Sequence, residues 1–189
     1  MSNPTPLFPR TIDGLQGMSW MAEVELNHLI RLGSLKSNLL EIGTASGVTA
    51  SAISRANPHL NVICVDDFGT SANEYDKNRF ENWKANATPR MRLINIDARS
   101  LHKAIPTHNR FDLIIIDGDH GYEGCLRDLE SIVPYCLSYR TTVTCHDYGD
   151  RNHDGVRKAV HEFLHRYSAF RFVSIQHSLL ELLYEAPTP

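Results

Sequence analysis

Five short apolar runs, separated by segments with helical spacing, constrain the fold of this chain more than any other feature. The runs span residues 39–42, 62–65, 91–96, 113–116 and 141–145. The helix-like segments between them span residues 48–56, 74–87, 98–104 and 122–133. Strands that alternate with helices in this way form βαβ units with right-handed crossovers. They predict a mainly parallel sheet that helices cover on both faces.

The two ends of the chain complete this α/β pattern. Apolar positions at helical spacing predict a helix over residues 18–32 and another over 156–167. Two strand-like runs follow at 170–175 and 179–184, and only residues 176–178 separate them. That gap is too short for a parallel crossover, so the runs are predicted to form an antiparallel hairpin. The prediction is a sheet of seven strands.

The predicted domain organisation is a single domain over residues 18–189 behind an N-terminal arm of residues 1–17. A chain of 189 residues can bury about two-thirds of its unfolded surface in one core. The first ten residues contain three prolines and lack the basic start and apolar core of a secretory signal. No apolar run approaches the ~20 residues that span a bilayer. We therefore expect a cytoplasmic protein with no membrane partner.

The charge and the cysteines narrow the possible partners. A net charge of −3 with scattered Lys and Arg provides no basic patch for nucleic acid or for an anionic membrane. The four cysteines include no Cys-x-x-Cys pair, so we expect buried free thiols in a reducing compartment. A small molecule is the predicted partner. The oligomeric state stays open, with a homodimer as one candidate.

The loop after the first predicted strand carries two glycines. It reads EIGTASGVT from Glu41 to Thr49, and Gly43 and Gly47 let the backbone turn tightly and approach a ligand. Ala45 stands where a dinucleotide-binding GxGxxG loop has its middle glycine, and the loop lacks the Gly-Lys-Ser/Thr of a P-loop. Two glycines alone are equally consistent with a plain strand-to-helix turn.

Acidic residues stand at or directly after the ends of the first four predicted strands. They are Glu41, Asp66, Asp97 and Asp117. The carboxyl ends of parallel strands meet at one edge of a sheet, where ligands bind in doubly wound folds. Asp66 ends the second strand, at about the position where an acid accepts hydrogen bonds from ribose hydroxyls. The pattern predicts a ligand that contains a nucleoside.

The ordered motifs resemble those of the class I S-adenosylmethionine-dependent methyltransferases, and most closely the small-molecule O-methyltransferases with a first motif EIGTxxGx[ST]. The resemblance covers residues 39–165 and includes IDGDHGYEGCLRDLE at 116–130 and TCHDYGD at 144–150. It implies a Rossmann-like, doubly wound sheet whose last strand is antiparallel, in agreement with the hairpin. Residues 137–140 read LSYR where the family usually has a Gly-Gly turn, which we expect to change a turn and not the chemistry.

The resemblance implies S-adenosylmethionine as the cofactor and suggests where each part of it binds. The glycine loop would lie against the methionine part, Asp66 would hold the ribose, and Asp97 and Ala98 would border the adenine. The predicted cofactor-binding residues are Glu41, Gly43, Thr44, Ala45, Ser46, Gly47, Asp66, Asp97, Ala98 and Asp117.

Polar side chains follow the fourth and fifth predicted strands. Asp117 follows one of them, and His146 and Asp147 follow the other. Neighbouring strands lie ~5 Å apart, so these groups can converge, and their atoms suit Mg²⁺ or another divalent ion. Catechol-type O-methyltransferases have an acidic metal ligand and an Asp-Asn pair at these places, so the resemblance implies the same three positions as ligands. The alternative is a hydrogen-bonded His-Asp pair without a metal.

Asp117 and His120 are the predicted catalytic residues. Catechol-type enzymes carry a lysine that takes the substrate proton three residues after the first metal ligand, and here His120 stands there. A histidine with a reference pKa near ~6.5 suits a general base for a hydroxyl acidified by a metal. A metal-bound hydroxyl acting with Asp147 alone is the competing interpretation. His153 is a further candidate, although most loop histidines are simply exposed.

Structural roles are predicted for several neighbouring residues. Asp119 is expected to cap the helix that begins at Tyr122, since Asp is common at helix starts. Phe80 and Trp83 fall at helical spacing and are expected in the core. Trp20 is expected to pack against the domain, and the alternative is that it covers the cofactor from the N-terminal helix.

These observations predict methyl transfer from S-adenosylmethionine to an oxygen of a small acceptor, such as a sugar or phenolic hydroxyl. The motif after the fourth strand is DGDH, unlike the Asp/Asn-Pro-Pro-Tyr/Phe of many amino-group and base methyltransferases, which disfavours N-methylation of nucleic acid. Two alternatives stay open. One is an NAD-dependent oxidoreductase, which the glycine loop fits poorly, and the other is a cofactor-binding module without turnover.

Overall fold

Seven strands form one sheet in the computed structural model, which describes residues 11–69, 78–137 and 140–186. The strands are β1 Asn38–Ile42, β2 Asn61–Asp66, β3 Met91–Asn95, β4 Leu113–Ile116, β5 Thr141–Cys145, β6 Phe170–Gln176 and β7 Leu179–Tyr184. Their order across the sheet is β3-β2-β1-β4-β5-β7-β6. The pairs among β1 to β5 are parallel, and β7 is antiparallel to both β5 and β6. The predicted fold class, including the terminal hairpin, is confirmed.

Helices cover both faces of the sheet, as the continuous apolar strands require. They are α1 Glu23–Gly33, α2 Val48–Ala56, α3 Arg79–Asn86, α4 Leu101–Ala104, α5 Tyr122–Ile132 and α6 Asp154–Arg166. All four residues of β4 are buried. Leu113 and Ile115 belong to the core that includes side chains of α1 to α3, whereas Ile114 and Ile116 belong to the core that includes side chains of α4 to α6. This alternation follows from the two-residue period of a strand.

The helices predicted over residues 18–32 and 98–104 differ in the structure, and part of a third prediction is not described. α1 begins at Glu23, later than predicted, because the Glu25 side chain accepts the backbone N–H of Ala22 and ends the extended approach there. The helix predicted over 98–104 is a 3₁₀ turn, Ala98–Ser100, followed by the short α4. The predicted start of the third helix, residues 74–77, lies outside the described residues.

Several predictions about burial can be checked directly. Trp83 is buried as predicted, but Phe80 is 41% exposed, so its assignment to the core is wrong. The ring of Phe80 contacts Phe68 outside the sheet, with ring centroids 5.4 Å apart, because α3 turns only one face inward. The four cysteines are buried free thiols, as predicted. In the part of the chain that the structure describes, no helix is both long and apolar enough to span a bilayer.

The loops after β1 and β4 lie against each other at Gly43. The φ angle of Gly43 is 84°, in the left-handed region that glycine adopts without strain. A Cβ atom at this position would lie 2.2 Å from the backbone oxygen of Asp117. Only glycine therefore allows the backbone of Asp117 to lie directly beside the first loop.

We expect Gly43→Ala to lower the free energy of unfolding by about 3 kcal/mol or more, since it adds a backbone clash to left-handed strain. Gly14→Ala is the matched control, because Gly14 also has a positive φ, 73°, but its added Cβ would only touch the end of Arg55 at 3.4 Å. The control should lose about 1–2 kcal/mol. Urea unfolding measures both, and equal losses would contradict the close-contact interpretation.

Candidate functional site

A cavity of about 1300 Å³ opens at the carboxyl edge of the sheet. Its volume exceeds the roughly 300–1,000 Å³ of common small-molecule sites, so it has room for two ligands side by side. Nine of the residues predicted for the site line this cavity: Gly43, Ala45, Asp66, Asp97, Ala98, Asp117, His120, His146 and Asp147. The structure therefore brings the predicted cofactor, metal and base residues into one space.

Four predicted cofactor residues lie beneath the wall of the cavity and do not line it. They are Glu41, Thr44, Ser46 and Gly47. The first three are buried. An added Cβ on Gly47 would lie 2.6 Å from the Trp83 ring, so this glycine is needed for packing. These residues support the loop from below, and their contact with a cofactor stays a prediction.

Glu41 is buried at the end of β1. Burial raises the pKa of its carboxyl group to about 8, so the group is protonated at neutral pH. Its Oε2 atom has no hydrogen-bond partner among the described residues. A neutral carboxyl group in this place contributes polarity under the loop without contributing a charge.

Asp66 ties the loop after β1 to the loop after β2. One carboxylate oxygen accepts the backbone N–H of Ala45 at 2.8 Å, and the other accepts that of Phe68 at 2.7 Å. Ala45 and Phe68 both have positive φ angles, 47° and 50°, so the carboxylate stabilises two unusual turns at once. Each carboxylate oxygen keeps a free lone pair, which leaves Asp66 able to accept hydroxyl groups from a ligand in the cavity.

Asp97 and Ala98 form the next part of the wall, after β3. The carboxylate of Asp97 accepts the backbone N–H of Arg99 at 2.8 Å and also binds its guanidinium group. These contacts with Arg99 lower the pKa of Asp97. The carboxylate is thus held as an anion while Ala98 presents an apolar surface.

Asp128 of α5 lines the same part of the cavity and was not predicted as a site residue. It is only 8% exposed, and its Oδ2 accepts the backbone N–H of Asp119 at 3.2 Å. Burial raises its pKa to about 6. The signal in the sequence is its position between Cys125 and Ile132 on the apolar stripe of a helix, where an acid is unusual.

Asp117, His146 and Asp147 converge as predicted. The Nδ1 atom of His146 lies 3.1 Å from Oδ1 of Asp117 and 3.3 Å from Oδ2 of Asp147. The φ angle of Asp147 is 60°, in the left-handed region that few residues other than glycine, Asn and Asp adopt. One ligand atom from each of the three residues lies within 4.8 Å of the others, as donors to one metal ion would.

His120 and His153 face Asp147 from the other side. The Nε2 atom of His120 lies 3.2 Å from Oδ2 of Asp147 and 3.9 Å from Oδ1 of Asp117. Asp117 and then Asp147 raise the pKa of His120. His153 Nδ1 lies 3.6 Å from the same Asp147 oxygen, and the two imidazole rings are 4.6 Å apart. The structure thus places His153 in the site, although its loop position alone favoured simple exposure.

Glu25 of α1 is the main site residue that sequence reasoning missed. Its side chain is 0% exposed, and its Oε2 atom lies 3.3 Å from His146 Nε2. Its Oε1 atom accepts the backbone N–H and the hydroxyl group of Ser178 at 2.7 and 2.6 Å. Burial raises the pKa of Glu25, but His146, Ser178 and Ala22 outweigh it and lower the pKa to about 2. Glu25 is therefore a buried anion that contacts His146 behind the cavity.

Two assignments of structural roles need correction. Trp20 is 43% exposed and lines the cavity, which favours the alternative role over packing against the domain. Asp119 does not cap α5, because the N-cap residue is Gly121. The Asp119 carboxylate accepts the backbone N–H of Gly121 at 2.7 Å and so stabilises the turn that precedes the helix.

Comparisons with known proteins agree with this geometry. A family model described as a methyltransferase domain matches residues 40–148, which is more than half of the chain. Among curated proteins the comparison found no match. Similar solved structures share no more than 20% of their residues with this chain in the three examples below, so the likeness concerns the fold alone.

Three of the similar structures, each described as a methyltransferase, illustrate the likeness. A protein of Staphylococcus aureus assigned as a caffeoyl-CoA O-methyltransferase has a TM-score of 0.63 and 20% identity, covering 87% of this chain and 84% of that one. The O-methyltransferase TomG of Streptomyces achromogenes, bound to S-adenosylmethionine, has a TM-score of 0.62 and 17% identity. The match covers 88% of this chain and 82% of that one. A Podospora anserina methyltransferase bound to S-adenosylhomocysteine has a TM-score of 0.64 and 16% identity. The match covers 87% of this chain and 79% of that one.

We expect Asp128→Asn to stabilise the protein at pH 7 but not at pH 4. The folded-state pKa of Asp128, about 6, lies above the unfolded value of about 3.9, so ionisation costs stability as pH rises between these values. The full shift corresponds to at most about 3 kcal/mol, and the asparagine removes this cost. Urea unfolding at both pH values measures the gain. An equal gain at pH 4 would contradict the assignment to charge burial.

Proposed function

The chain belongs to the methyltransferase domain family, and from this premise we propose that it transfers the methyl group of S-adenosylmethionine to a hydroxyl oxygen of a small molecule. One observation carries the proposal: Asp66 at the ribose position and the group of Asp117, His120 and Asp147 line a single cavity. A methyl donor and an acceptor hydroxyl can therefore meet at the edge of the sheet.

The cofactor is proposed to lie across the ends of β1, β2 and β3. Gly43 and Ala45 offer a close backbone approach for the methionine part, and Asp66 has free lone pairs for the ribose hydroxyls. Asp97 and Ala98 border the place proposed for the adenine. The S-adenosylmethionine and S-adenosylhomocysteine bound to two of the similar structures support this choice of ligand.

The proposed reaction is an in-line displacement. The bond between sulfur and the methyl carbon breaks as the acceptor oxygen bonds to that carbon, and the electron pair returns to sulfur. The hydroxyl proton leaves to a base on the protein. Holding the two reactants in line supplies much of the rate, since such positioning is worth about 7–11 kcal/mol in favourable cases.

His120 is proposed to accept this proton. Its side chain is partly exposed to the cavity, and Asp147 at 3.2 Å orients the ring. The two aspartates that raise its pKa make the imidazole a stronger base and stabilise its charged form after the proton has moved. Because the ring also contacts Asp117 at 3.9 Å, the base and the proposed metal residues form one group.

Asp117, His146 and Asp147 are proposed to hold a divalent ion. Ligand atoms about 2.1 Å from one ion and at right angles lie about 3 Å apart. The distances of 3.1 and 3.3 Å between His146 Nδ1 and the two carboxylates fit such an arrangement. When bound, the ion lowers the pKa of an acceptor hydroxyl and orients it.

The family match disfavours the oxidoreductase alternative. The turnover measurements below distinguish an enzyme from a module that binds the cofactor without turnover. The acceptor pocket is proposed to involve the N-terminal arm and the loops at 68–75 and 148–155. Residues 1–10 and 70–75 of these segments lie outside the described residues. We propose a cytoplasmic location, which the four buried free thiols support.

The first test of this proposal is ligand binding. We expect S-adenosylhomocysteine to bind the wild-type protein with micromolar affinity in calorimetry. We expect Asp66→Ala to weaken that affinity about 10- to 100-fold, because charged hydrogen bonds contribute about 1.5–3 kcal/mol. NAD serves as the control ligand. Binding of NAD without binding of S-adenosylhomocysteine would reject the methyltransferase function.

The second test concerns the base. We expect His120→Gln to lower kcat about 10²- to 10⁴-fold with the affinity for S-adenosylhomocysteine unchanged, since a general base contributes that much. Turnover is measured as release of S-adenosylhomocysteine with phenolic and sugar acceptors. His153→Gln is the matched control and should cost less than about tenfold. The reverse ranking would move the base to His153, and full activity in both variants would reject a histidine base.

A further inference from the structure

We propose that Glu25 is a positioning residue of the metal centre, which holds His146 as a nitrogen ligand and thereby makes the centre prefer a transition-metal ion to Mg²⁺. The inference deepens the proposed function and rests on it for the presence of an ion in this cavity. It adds a residue from α1 and a class of metal, neither of which the sequence predicted.

The first step is that Glu25 has a fixed position. Both of its carboxylate oxygens accept hydrogen bonds: Oε2 from the backbone N–H of Ala22 at 2.7 Å, and Oε1 from the backbone and hydroxyl of Ser178 at 2.7 and 2.6 Å. These donors come from the start of α1 and from the β6–β7 turn. Donors from two separate elements hold both carboxylate oxygens, so the side chain cannot turn away from His146.

The second step is that Glu25 fixes which ring nitrogen of His146 faces the cavity. The Nε2 atom of His146 lies 3.3 Å from Glu25 Oε2, and Nδ1 points between Asp117 and Asp147 at 3.1 and 3.3 Å. Without an ion, Nδ1 shares a proton with these two carboxylates, and an ion bound between them would take the place of that proton. Metal-binding histidines commonly donate their other N–H to a carboxylate in this way.

The third step is the identity of the metal. Two groups of potential ligands occur among the described residues, and they share Asp147. One group adds Asp117 and His146, and the other adds His120 and His153. An ion held by either group therefore has at least one imidazole ligand. Imidazole suits Zn²⁺, Fe²⁺ and Ni²⁺, whereas Mg²⁺ prefers oxygen ligands only.

A merely structural role for Glu25 makes a different prediction. In that case His146 is a charged imidazolium that donates from Nδ1 to Asp117 at 3.1 Å, and Glu25 only balances its charge. Loss of Glu25 would then reduce stability without a specific effect on metal affinity. Direct measurement of metal binding distinguishes the two roles without depending on turnover.

The experiment is calorimetric titration of the metal-free 189-residue chain with MgCl₂, MnCl₂, CoCl₂ and ZnCl₂, followed by the same titrations of Glu25→Gln. We expect one ion per chain, with Co²⁺ and Zn²⁺ bound at least tenfold more tightly than Mg²⁺. The glutamine has one acceptor oxygen in place of two, so it cannot serve both Ser178 and His146. We expect it to weaken Co²⁺ and Zn²⁺ binding about 10- to 100-fold.

Glu181→Gln is the matched control. Glu181 Oε2 contacts His28 Nε2 at 2.9 Å, and this second histidine–carboxylate pair does not line the cavity. The control variant should keep wild-type metal affinity. Equal weakening in the two variants, or unchanged affinity in Glu25→Gln, would overturn the role of Glu25.

The wild-type titrations decide the preference for metals even if Glu25→Gln does not fold. Binding of Mg²⁺ as tight as that of Co²⁺ and Zn²⁺ would overturn that preference. Titration with S-adenosylhomocysteine in parallel separates this inference from the proposed function. Failure to bind any of the four metals, with intact S-adenosylhomocysteine binding, would reject the metal centre and leave methyl transfer standing. Binding of a metal without any binding of S-adenosylhomocysteine would reject methyl transfer and leave the metal centre standing.

Discussion

The register of β4 between β1 and β5 is the constraint on which the site depends. Ile116 pairs with Ile42 on one side and with Cys145 on the other. The next residue on each strand is therefore a neighbour of the other two, which places Gly43, Asp117 and His146 in one row. Hydrogen bonds from Asp117 N to Ile42 O and from His146 N to Ile116 O continue the ladder past the ends of the strands. A slip of one residue in β4 would turn Asp117 to the opposite face.

Burial makes the charges of this row interdependent. His146 is 3% exposed and lies within 3.3 Å of carboxylate oxygens on Glu25, Asp117 and Asp147. A buried charge is costly unless it is paired, and loss of one partner leaves the others uncompensated. The arrangement therefore requires a positive charge at its centre, which either a proton on His146 or a bound ion can supply.

The part of the site that was predictable from the sequence is the part that local pattern and sheet topology determine. Apolar runs located the strands, and the rule that parallel strand ends share one edge located Asp66, Asp117 and Asp147. Glu25 was not predictable in this way, because an acid in the first turn of a helix is ordinary and its partner Ser178 lies 153 residues away.

The remaining features of the site depend on tertiary packing. Asp128 lines the cavity through the packing of α5, and an acid on the apolar stripe of that helix was its signal in the sequence. His153 was a candidate from the sequence, but only the structure brings it within 3.6 Å of Asp147. Periodicity assigned Phe80 to the core, and Trp20 was expected to pack against the domain, yet both side chains are exposed. A single sequence does not encode which of these tertiary contacts form.

The contact between Glu25 and Ser178 joins the first helix to the terminal hairpin across 153 residues of the chain. Because β7 also pairs with β5, the hairpin supports both the strand that leads to His146 and the donors that fix Glu25 behind it. Local opening of the hairpin would therefore hydrate the carboxylate and remove one contact of His146. The integrity of the centre thus depends on a hairpin at one side of the sheet as well as on the central strands.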